Sequence, residues 1–558
     1  MTTRVCFLAV SLLLCSGYSL QSQNTIGTIH NESAAFNGYT LFSPIPSTTT
    51  YLIDNDGRLI RSWVSAHQPG QSVYLLEDGS VLRAAQIDNT VFGAGGGGGK
   101  LEKFAWDGTK TWEYIYSSDL VCTHHDATPL PNGNVLAIAW EYKSLDSCLA
   151  AGRDPRRLPA KSLWPDHIIE LQPEGANGAR IVWEWHAWDH LVQSVDATKA
   201  NYGVPAEHPE RIDINAPFQS PADWMHSNGI AYNAELDQIV LCVHNFNEFW
   251  VIDHSTTTEE ARGSTGGRRG RGGDLLYRWG NPRMYGAGVQ ADQQLFGMHD
   301  AQWIAPGRPG AGNILVFNNG LNKPGAASSS VDEIVPPLHA DGLYDLVPAS
   351  AYGPAAPLWR YEADPPASMF SKAISGAQRL PNGNTIICVG QNGRFVEVTQ
   401  DKRVVWEYLN PVTNTGIMRQ GDSLRQGPSG SGNLVFKTRK YAPDFAGFAG
   451  RDLTPGAVIE LAATAVERPG ATPVLALDVY PQPASELLTA RLSLPSPAPV
   501  DIALVDALGR VVARQSSPSG VSDPIIRFPV AHLPAGVYHL QATAASLRVA
   551  RAVVLRGK

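Results

Sequence analysis

At 558 residues the chain is too long for one ordinary hydrophobic core, so a large domain with a smaller companion is expected. Its 53 glycines, 40 prolines and 17% charged residues fit a turn-rich β protein. A net charge of −8 excludes the basic footprint that nucleic-acid binding needs, and no nucleic-acid partner is expected.

Residues 1–22 carry one early arginine, Arg4, then a short apolar run and small or polar residues, the pattern of a secretory signal peptide. The run is too short for a retained anchor, and no later stretch is apolar enough to be a transmembrane segment. Cys15 follows Leu14, which makes the lipoprotein form of signal the weaker reading. Cys6 and Cys15 leave with the signal. Of the four cysteines that remain, Cys122 and Cys148 are the candidate disulfide that export permits, while Cys242 and Cys388 sit in apolar strand patterns as buried thiols. No ligand spacing indicates a structural zinc site, and neither a metal nor another cofactor is expected.

From residue 24 to 465 two patterns alternate. One is strand, turn, strand: SVYLLEDGSVL from Ser72, HHDATPLPNGNVLAIAW from His124, MHSNGIAYNAELDQIVLC from Met225, MHDAQWIAPGRPGAGNILVF from Met298 and SGAQRLPNGNTIICVG from Ser375. The other is a tryptophan-bearing strand, at Trp63, Trp112, Trp183, Trp279, Trp359 and Trp406. Most of these follow an alternating strand and a tight turn, so each unit reads as a four-stranded antiparallel meander. Such units, repeated without helices between them, are satisfied by an all-β, six-bladed β-propeller, with seven blades as the other count. The chain opens on an outer hairpin, 51–65, and its missing inner pair is expected around GNLVFKTRK from Gly432, which would close the ring and remove exposed sheet edges.

Long additions between Tyr142 and Pro165, between His186 and Ala222 and between Asn281 and Gln294 map to loops walling the channel mouth. The run GAGGGGGK ending at Lys100 fails the phosphate-loop pattern and reads as a loop passing close to the channel. RGSTGGRRGRGG from Arg262 reads as a solvated hairpin loop.

In a propeller the innermost strand starts, and the second strand ends, on one face. That topology gathers His124, His125 and Trp140; His226, His244 and Asn245; His299, Asn318 and Asn319; Ser375, Gln391 and Asn392; and Arg439. Lys323 and Arg394 lie a few residues beyond second-strand ends. A cavity rimmed by imidazoles, amides and cations suits an anion: neutral imidazole attacks an electrophile, imidazolium protonates a leaving oxygen, and cations offset developing charge. Asp126 and Asp300 follow histidines directly, and strand alternation aims them at the barrel wall.

After the linker ERPGATP, within 466–474, short alternating strands over 475–558 suggest an immunoglobulin-like β-sandwich. YPQPASELL from Tyr480, LVDALGRVV from Leu504, LPAGVYHL from Leu533 and the terminal VVLRGK resemble the C-terminal sorting domain of type IX secretion substrates. That resemblance implies the type IX secretion machinery as a partner and a secreted or outer-membrane-surface location in a bacterium.

The larger region also resembles a family. DWMHSNGIAYN from Asp223, the MHDAQ segment, NILVFNNG from Asn313, GGKLEKFAWDGTKTWEY from Gly98, RLPNGNTIICVGQNGRFVEVT from Arg379 and KTRKYAPDFAG are similar to the arylsulfotransferase family over most of 38–462. The resemblance implies a six-bladed propeller that moves a sulfuryl group from an aryl sulfate to a phenol without a nucleotide donor, through a transiently sulfated histidine. It implies sulfate contacts for His226 and His299. Lys323 falls near a family arginine, keeping the charge but not the geometry. The second-strand end where the family carries its nucleophile reads VGQNGR here, with Gln391 and Asn392 and no histidine. The catalytic candidates are therefore His299, His226, His125 and His244, with Lys323, Arg439, Asn319, Arg394, Gln391 and Asn392 as substrate-binding candidates. Two other readings stand beside this one: a non-catalytic surface propeller binding a sulfated or anionic ligand, and a metal-dependent hydrolase or lyase with His125, His226 and His299 as a three-imidazole set.

Overall fold

A computed structural model describes residues 24–217, 221–347, 350–424, 432–463, 476–494, 498–517, 524–544 and 547–556. The expected signal peptide, 1–22, and linker, 466–474, lie outside the described residues. The chain divides into two compact units, Met1–Ala463 and Thr464–Lys558.

The first unit is a β-propeller of six antiparallel sheets. From the axis outward, blade 1 is Val435–Tyr441, Tyr39–Pro44, Thr49–Ile53 and Leu59–Val64; blade 2 is Pro69–Leu75, Val81–Gln86, Gly99–Phe104 and Lys110–Ile115. Blade 3 is Val121–Pro129, Val135–Glu141, Asp166–Glu174 and Gly178–His186; blade 4 is Ser227–Asn233, Gln238–Val243, Glu248–Asp253 and Tyr277–Trp279. Blade 5 is His299–Trp303, Ile314–Asn318, Ser330–Ile334 and Trp359–Tyr361; blade 6 is Gly376–Arg379, Thr385–Val389, Arg394–Val398 and Val404–Leu409.

The ring closes within blade 1, but not through a late inner pair. The late segment supplies one strand, Val435–Tyr441, and the second strand, Tyr39–Pro44, comes from the front of the chain. This second strand precedes the hairpin directly, in YTLFSPIPSTTT, where its two prolines hide the strand pattern. A further strand, Gly27–Asn31, pairs with Val404–Leu409 and makes blade 6 five-stranded, so the front of the chain is stitched into both blade 1 and blade 6.

The outer-strand tryptophans fasten each blade to the next. Indole N–H groups donate from Trp63 to Ala105 O (2.9 Å), Trp112 to Gly178 O (2.8 Å) and Trp183 to Thr256 Oγ1 (3.1 Å). The series continues from Trp279 to Pro354 O (2.7 Å), Trp359 to Gln400 O (3.0 Å) and Trp406 to Asn55 O (2.7 Å), which returns to blade 1. Apolar side chains fill the same seams, as where Leu82, Leu101 and Trp112 of blade 2 meet Ala127, Val135 and Ile169 of blade 3. Burying a tryptophan such as Trp406 withdraws roughly 200 Å² from water, about 5 kcal/mol as an upper bound.

Cys122 and Cys148 are buried free thiols, which corrects the expected disulfide. Cys122 lies in the innermost strand of blade 3, while Cys148 sits in the helix Leu145–Ala150 of the first insertion, its Sγ 3.8 Å from Lys143 O. Cys242 and Cys388 are buried thiols too. Among the described residues no helix is long and apolar enough to cross a membrane.

The second unit is a β-sandwich. One sheet holds Ala476–Tyr480, Leu487–Ser493 and Ile525–Pro529; the other holds Val511–Ser517, Val500–Val505, Gly536–Ala544 and Leu547–Leu555. Leu488, Ile502, Leu504, Phe528 and Leu540 fill the space between them.

Candidate active site

The innermost strands do not enter the channel as regular strands. Gln71 (φ 97°), His125 (51°), His226 (51°), Asp300 (57°) and Ser375 (93°) take the left-handed region near the start of the inner strands of blades 2 to 6. Pairing with the second strand shifts register at the same level in blades 2 to 5. For a residue with a Cβ this backbone costs about 1–2 kcal/mol. It breaks the alternation of side chains, so His125 and Asp126, and likewise His299 and Asp300, both reach the channel.

The deeper level is a closed ion cluster. Lys437 Nζ lies 2.6 Å from Asp126 Oδ2, 3.3 Å from Asp300 Oδ1 and 2.8 Å from the Tyr74 hydroxyl. Arg439 donates twice to Asp300, at 2.9 and 2.7 Å. The backbone N–H groups of Ile230 and Ala377 donate to Asp126 and Asp300, so all six innermost strands meet in this cluster. Asp126 and Asp300 do bond the wall, as the sequence suggests, but a bulge rather than alternation places them. Arg439, expected at the mouth, is 9% exposed at its side chain and spent on Asp300. Two cations face two carboxylates, so the cluster offers little net charge to a ligand.

Above it, four imidazoles form an arc. Ring centroids are 4.6 Å apart from His125 to His226, 5.1 Å from His226 to His244 and 5.5 Å from His244 to His299. Phe436 closes the arc, 6.0 Å from His125 and 6.3 Å from His299. His125 and His299 are buried, whereas His226 and His244 are partly open to solvent. His299 meets His244 rather than His226, so of the three rings of the metal reading only His125 and His226 are neighbours.

Hydrogen bonds give each ring a different capacity. His299 Nε2 accepts the Ile374 N–H at 3.1 Å, so its Nδ1 carries the proton and donates to Asn319 Oδ1 at 2.8 Å. Both nitrogens are occupied. Asn319 in turn donates to Ser371 O and Ile374 O, which fixes the pair. His125 Nδ1 faces His124 Nδ1 at 2.8 Å, and a β-carbon on Gly96 would lie 2.0 Å from His125 Nε2. The glycine run thus covers that nitrogen.

His244 is the ring with an open, lone-pair-bearing nitrogen. Asn245 uses its Nδ2 to donate to Asp223 O and Trp224 O, so its Oδ1 accepts from His244 Nδ1 at 2.9 Å. Nε2 is left unprotonated, and Gly297, whose β-carbon would stand 3.2 Å away, keeps space beside it. Burial, the neighbouring His226 charge opposing a proton as well, pulls the His244 pKa down to about 4. Burial also pushes His125 and His299 well below the ordinary imidazole value, with neighbouring imidazoles adding to the shift.

His226 is the opposite case. Burial disfavours its charge, but the Asp223 carboxylate, by attraction and a short hydrogen bond to Nδ1, with Asp166 beyond, lifts its pKa above the ordinary value. Asp223 Oδ1 is itself held by the Trp140 indole N–H at 2.9 Å. His124 stands behind, stacked on Trp140 at 3.9 Å and 3.2 Å from Asp166, with burial lowering its pKa to about 3.

The remaining candidates have partners of their own. Lys323 pairs with Glu362 at 2.9 Å and Arg394 with Glu407 at 2.7 Å. Gln391 and Asn392 occupy the turn Gly390–Asn392 after the second strand of blade 6, and Gln391 Oε1 accepts the Lys372 N–H at 2.8 Å.

The arylsulfotransferase (ASST) family model matches residues 40–416, more than half of the chain. The chain belongs to the arylsulfotransferase family. A model for the secretion-system C-terminal sorting domain matches residues 478–556 and marks this arylsulfotransferase-family protein for export, to the cell surface or the medium. No curated protein matches the chain. Among solved structures, a protein of unknown function from Bacteroides caccae is similar at 11% identity and TM-score 0.39, covering 72% of this chain and 98% of its own. A streptogramin B lyase is similar at 11% identity and TM-score 0.33, covering 71% and 87%. Virginiamycin B lyase from Staphylococcus aureus, in an inactive variant with quinupristin, is similar at 9% identity and TM-score 0.31, covering 68% and 86%. At those scores the likenesses bear on neither substrate nor chemistry.

Several residues of this family member's site escape sequence reasoning. Asp223 stands three residues before His226 in DWMHSN, and that spacing is the signal that marks it. Lys437, Tyr74, Phe436 and the Ile374 N–H carry no signal of their own, since each matters only through another blade.

Proposed function

We propose that the protein is an exported aryl-sulfate sulfotransferase in which His244 is the nucleophile and His226 the acid and base. The observation that carries this reading is the tautomer that Asn245 sets on His244, whose ring, with Nε2 unprotonated, stands between the imidazolium-prone His226 and the buried His299. His244 Nε2 attacks the sulfur of the bound aryl sulfate as the sulfur–oxygen bond to the ring breaks. His226 gives its proton to the departing phenolate and becomes neutral. An acceptor phenol then loses its proton to His226, attacks sulfur, and the nitrogen–sulfur bond breaks, which restores both histidines. His226 also offsets the substrate's charge, because the deeper cations are neutralised by Asp126 and Asp300. His299 and Asn319, whose polar atoms are bonded to each other and to the backbone of Ser371 and Ile374, form a buried wall beside His244.

The test is acceptor-dependent phenolate release from an aryl sulfate. The reading expects turnover that survives chelation and falls by at least about 10³-fold in His244→Ala and about 10²-fold in His226→Ala. Turnover unchanged in His244→Ala would contradict it. Sulfate-ester binding without any turnover would make the propeller a binding module instead.

A further inference from the structure

We infer that blade 3 carries a second site, for a divalent metal ion of the zinc class, built by Glu141, His167 and His186 and separate from the channel histidines. Glu141 ends the second strand, His167 stands near the start of the third and His186 ends the fourth. The ladder sets His167 opposite both Ala139 and His186, and Glu141, two residues beyond Ala139, shares their face. One donor atom from each of the three lies within 4.8 Å of the others, and this is the one such group among the described residues. The two rings are parallel, 4.9 Å apart, and His186 Nδ1 is 3.2 Å from Glu141 Oε2. Around a tetrahedral ion with bonds of about 2.0–2.1 Å, donors stand roughly 3.3 Å apart, so binding draws the donors together by up to about 1.5 Å and tilts the parallel rings toward a common point.

Hydrogen bonding points the same way independently. His167 is fully buried, yet its Nδ1 has no hydrogen-bond partner, and neither has the buried Glu141 Oε1. Two orphaned polar atoms in one cluster are a cost that a cation accepting both lone pairs removes. The other nitrogen of His167, Nε2, is 3.1 Å from the Tyr116 hydroxyl, the kind of outer partner that orients a metal-bound imidazole. Lys143 Nζ occupies the other Glu141 oxygen, Oε2, at 3.0 Å, and leaves Oε1 to the ion. Water completes the set, and Glu184 Oε2, 3.9 Å from the ring's other nitrogen, His186 Nε2, is an outer partner that orients the ring. His186 is 22% exposed at its side chain, which gives the ion an entry path. A bound ion here would tie three strands together at the root of the two insertions that follow Glu141 and His186.

Metal-free protein titrated with zinc, and with cobalt as a spectroscopic probe, tests this by calorimetry, visible absorption and thermal unfolding. The expected result is one ion per chain, a tetrahedral cobalt spectrum and a higher Tm with zinc. Affinity should fall at least about tenfold in His167→Gln and in the more exposed His186→Gln, and stay unchanged in His244→Ala. No binding by the wild-type chain would overturn the proposal. So would binding that survives in His186→Gln but is lost in His244→Ala, since the ion would then sit in the channel.

Discussion

His226 and His244 stand 5.1 Å apart with opposite proton affinities, and that difference divides acid from nucleophile. The groups that set it are the Asp223 carboxylate, with Asp166 beyond, which raises the His226 pKa, and the burial of His244 beside the His226 charge, which lowers the His244 pKa. Transfer requires His244 neutral and His226 protonated. Activity should therefore fall below about pH 4, where His244 takes a proton, and again as pH rises through the His226 pKa, which lies above the ordinary imidazole value. Asp223→Asn removes the group that raises that pKa, so the alkaline limb of the kcat/KM profile should move to lower pH while the acid limb stays near its place. An alkaline limb that does not move would remove His226 from the acid role. The histidines were legible in the sequence because they head a repeated strand. Their division of labour was not, because it rests on Asn245, Ile374, Gly96 and Asp223, loop residues whose partners depend on the fold.

In blades 3 to 5 the innermost strand or the residue just before it presents an imidazole at the mouth while the strand gives a carboxylate or backbone N–H to the cluster beneath. The left-handed residue found there, as in blades 2 and 6, is a departure from strand periodicity. Period-2 reasoning therefore found the right strands and misjudged why Asp126 and Asp300 face as they do. For the same reason Arg439 was expected at the mouth, and Lys437 was not singled out. The cluster is a stability element, and Lys437→Met tests it: Asp126 would keep Tyr74 and the Ile230 N–H but lose its cation. Leaving a buried carboxylate uncompensated should cost about 3–5 kcal/mol, read from the denaturant midpoint at constant m. A cost well below about 1 kcal/mol would mean that the channel cations are dispensable to the fold.

For the whole molecule, six tryptophans were legible as a repeat, and the repeat gave the blade count. Their further task appears only when the ring is closed, because each indole donates to a residue of the following blade and the last returns from Trp406 to Asn55. Closure differs from the expectation by one strand, since Pro44 and Pro46 mask the end of Tyr39–Pro44. In the C-terminal unit Ile525–Pro529 is the strand hardest to read from the sequence, because the short alternating IIRFP follows a run rich in serine, proline and glycine with little to distinguish it. What the closed ring achieves is convergence: residues more than 170 positions apart, from His125 to His299, form one arc of imidazoles. In the proposed reaction this arc transfers a sulfuryl group through His244. The decisive experiment is rapid quench of the protein with excess aryl sulfate and no acceptor, followed by peptide mass analysis under alkaline conditions. One sulfuryl group is expected on the peptide bearing His244, lost on adding a phenol and absent in His244→Ala; a sulfuryl group on another histidine, or none despite turnover, would remove His244 from the nucleophile's role.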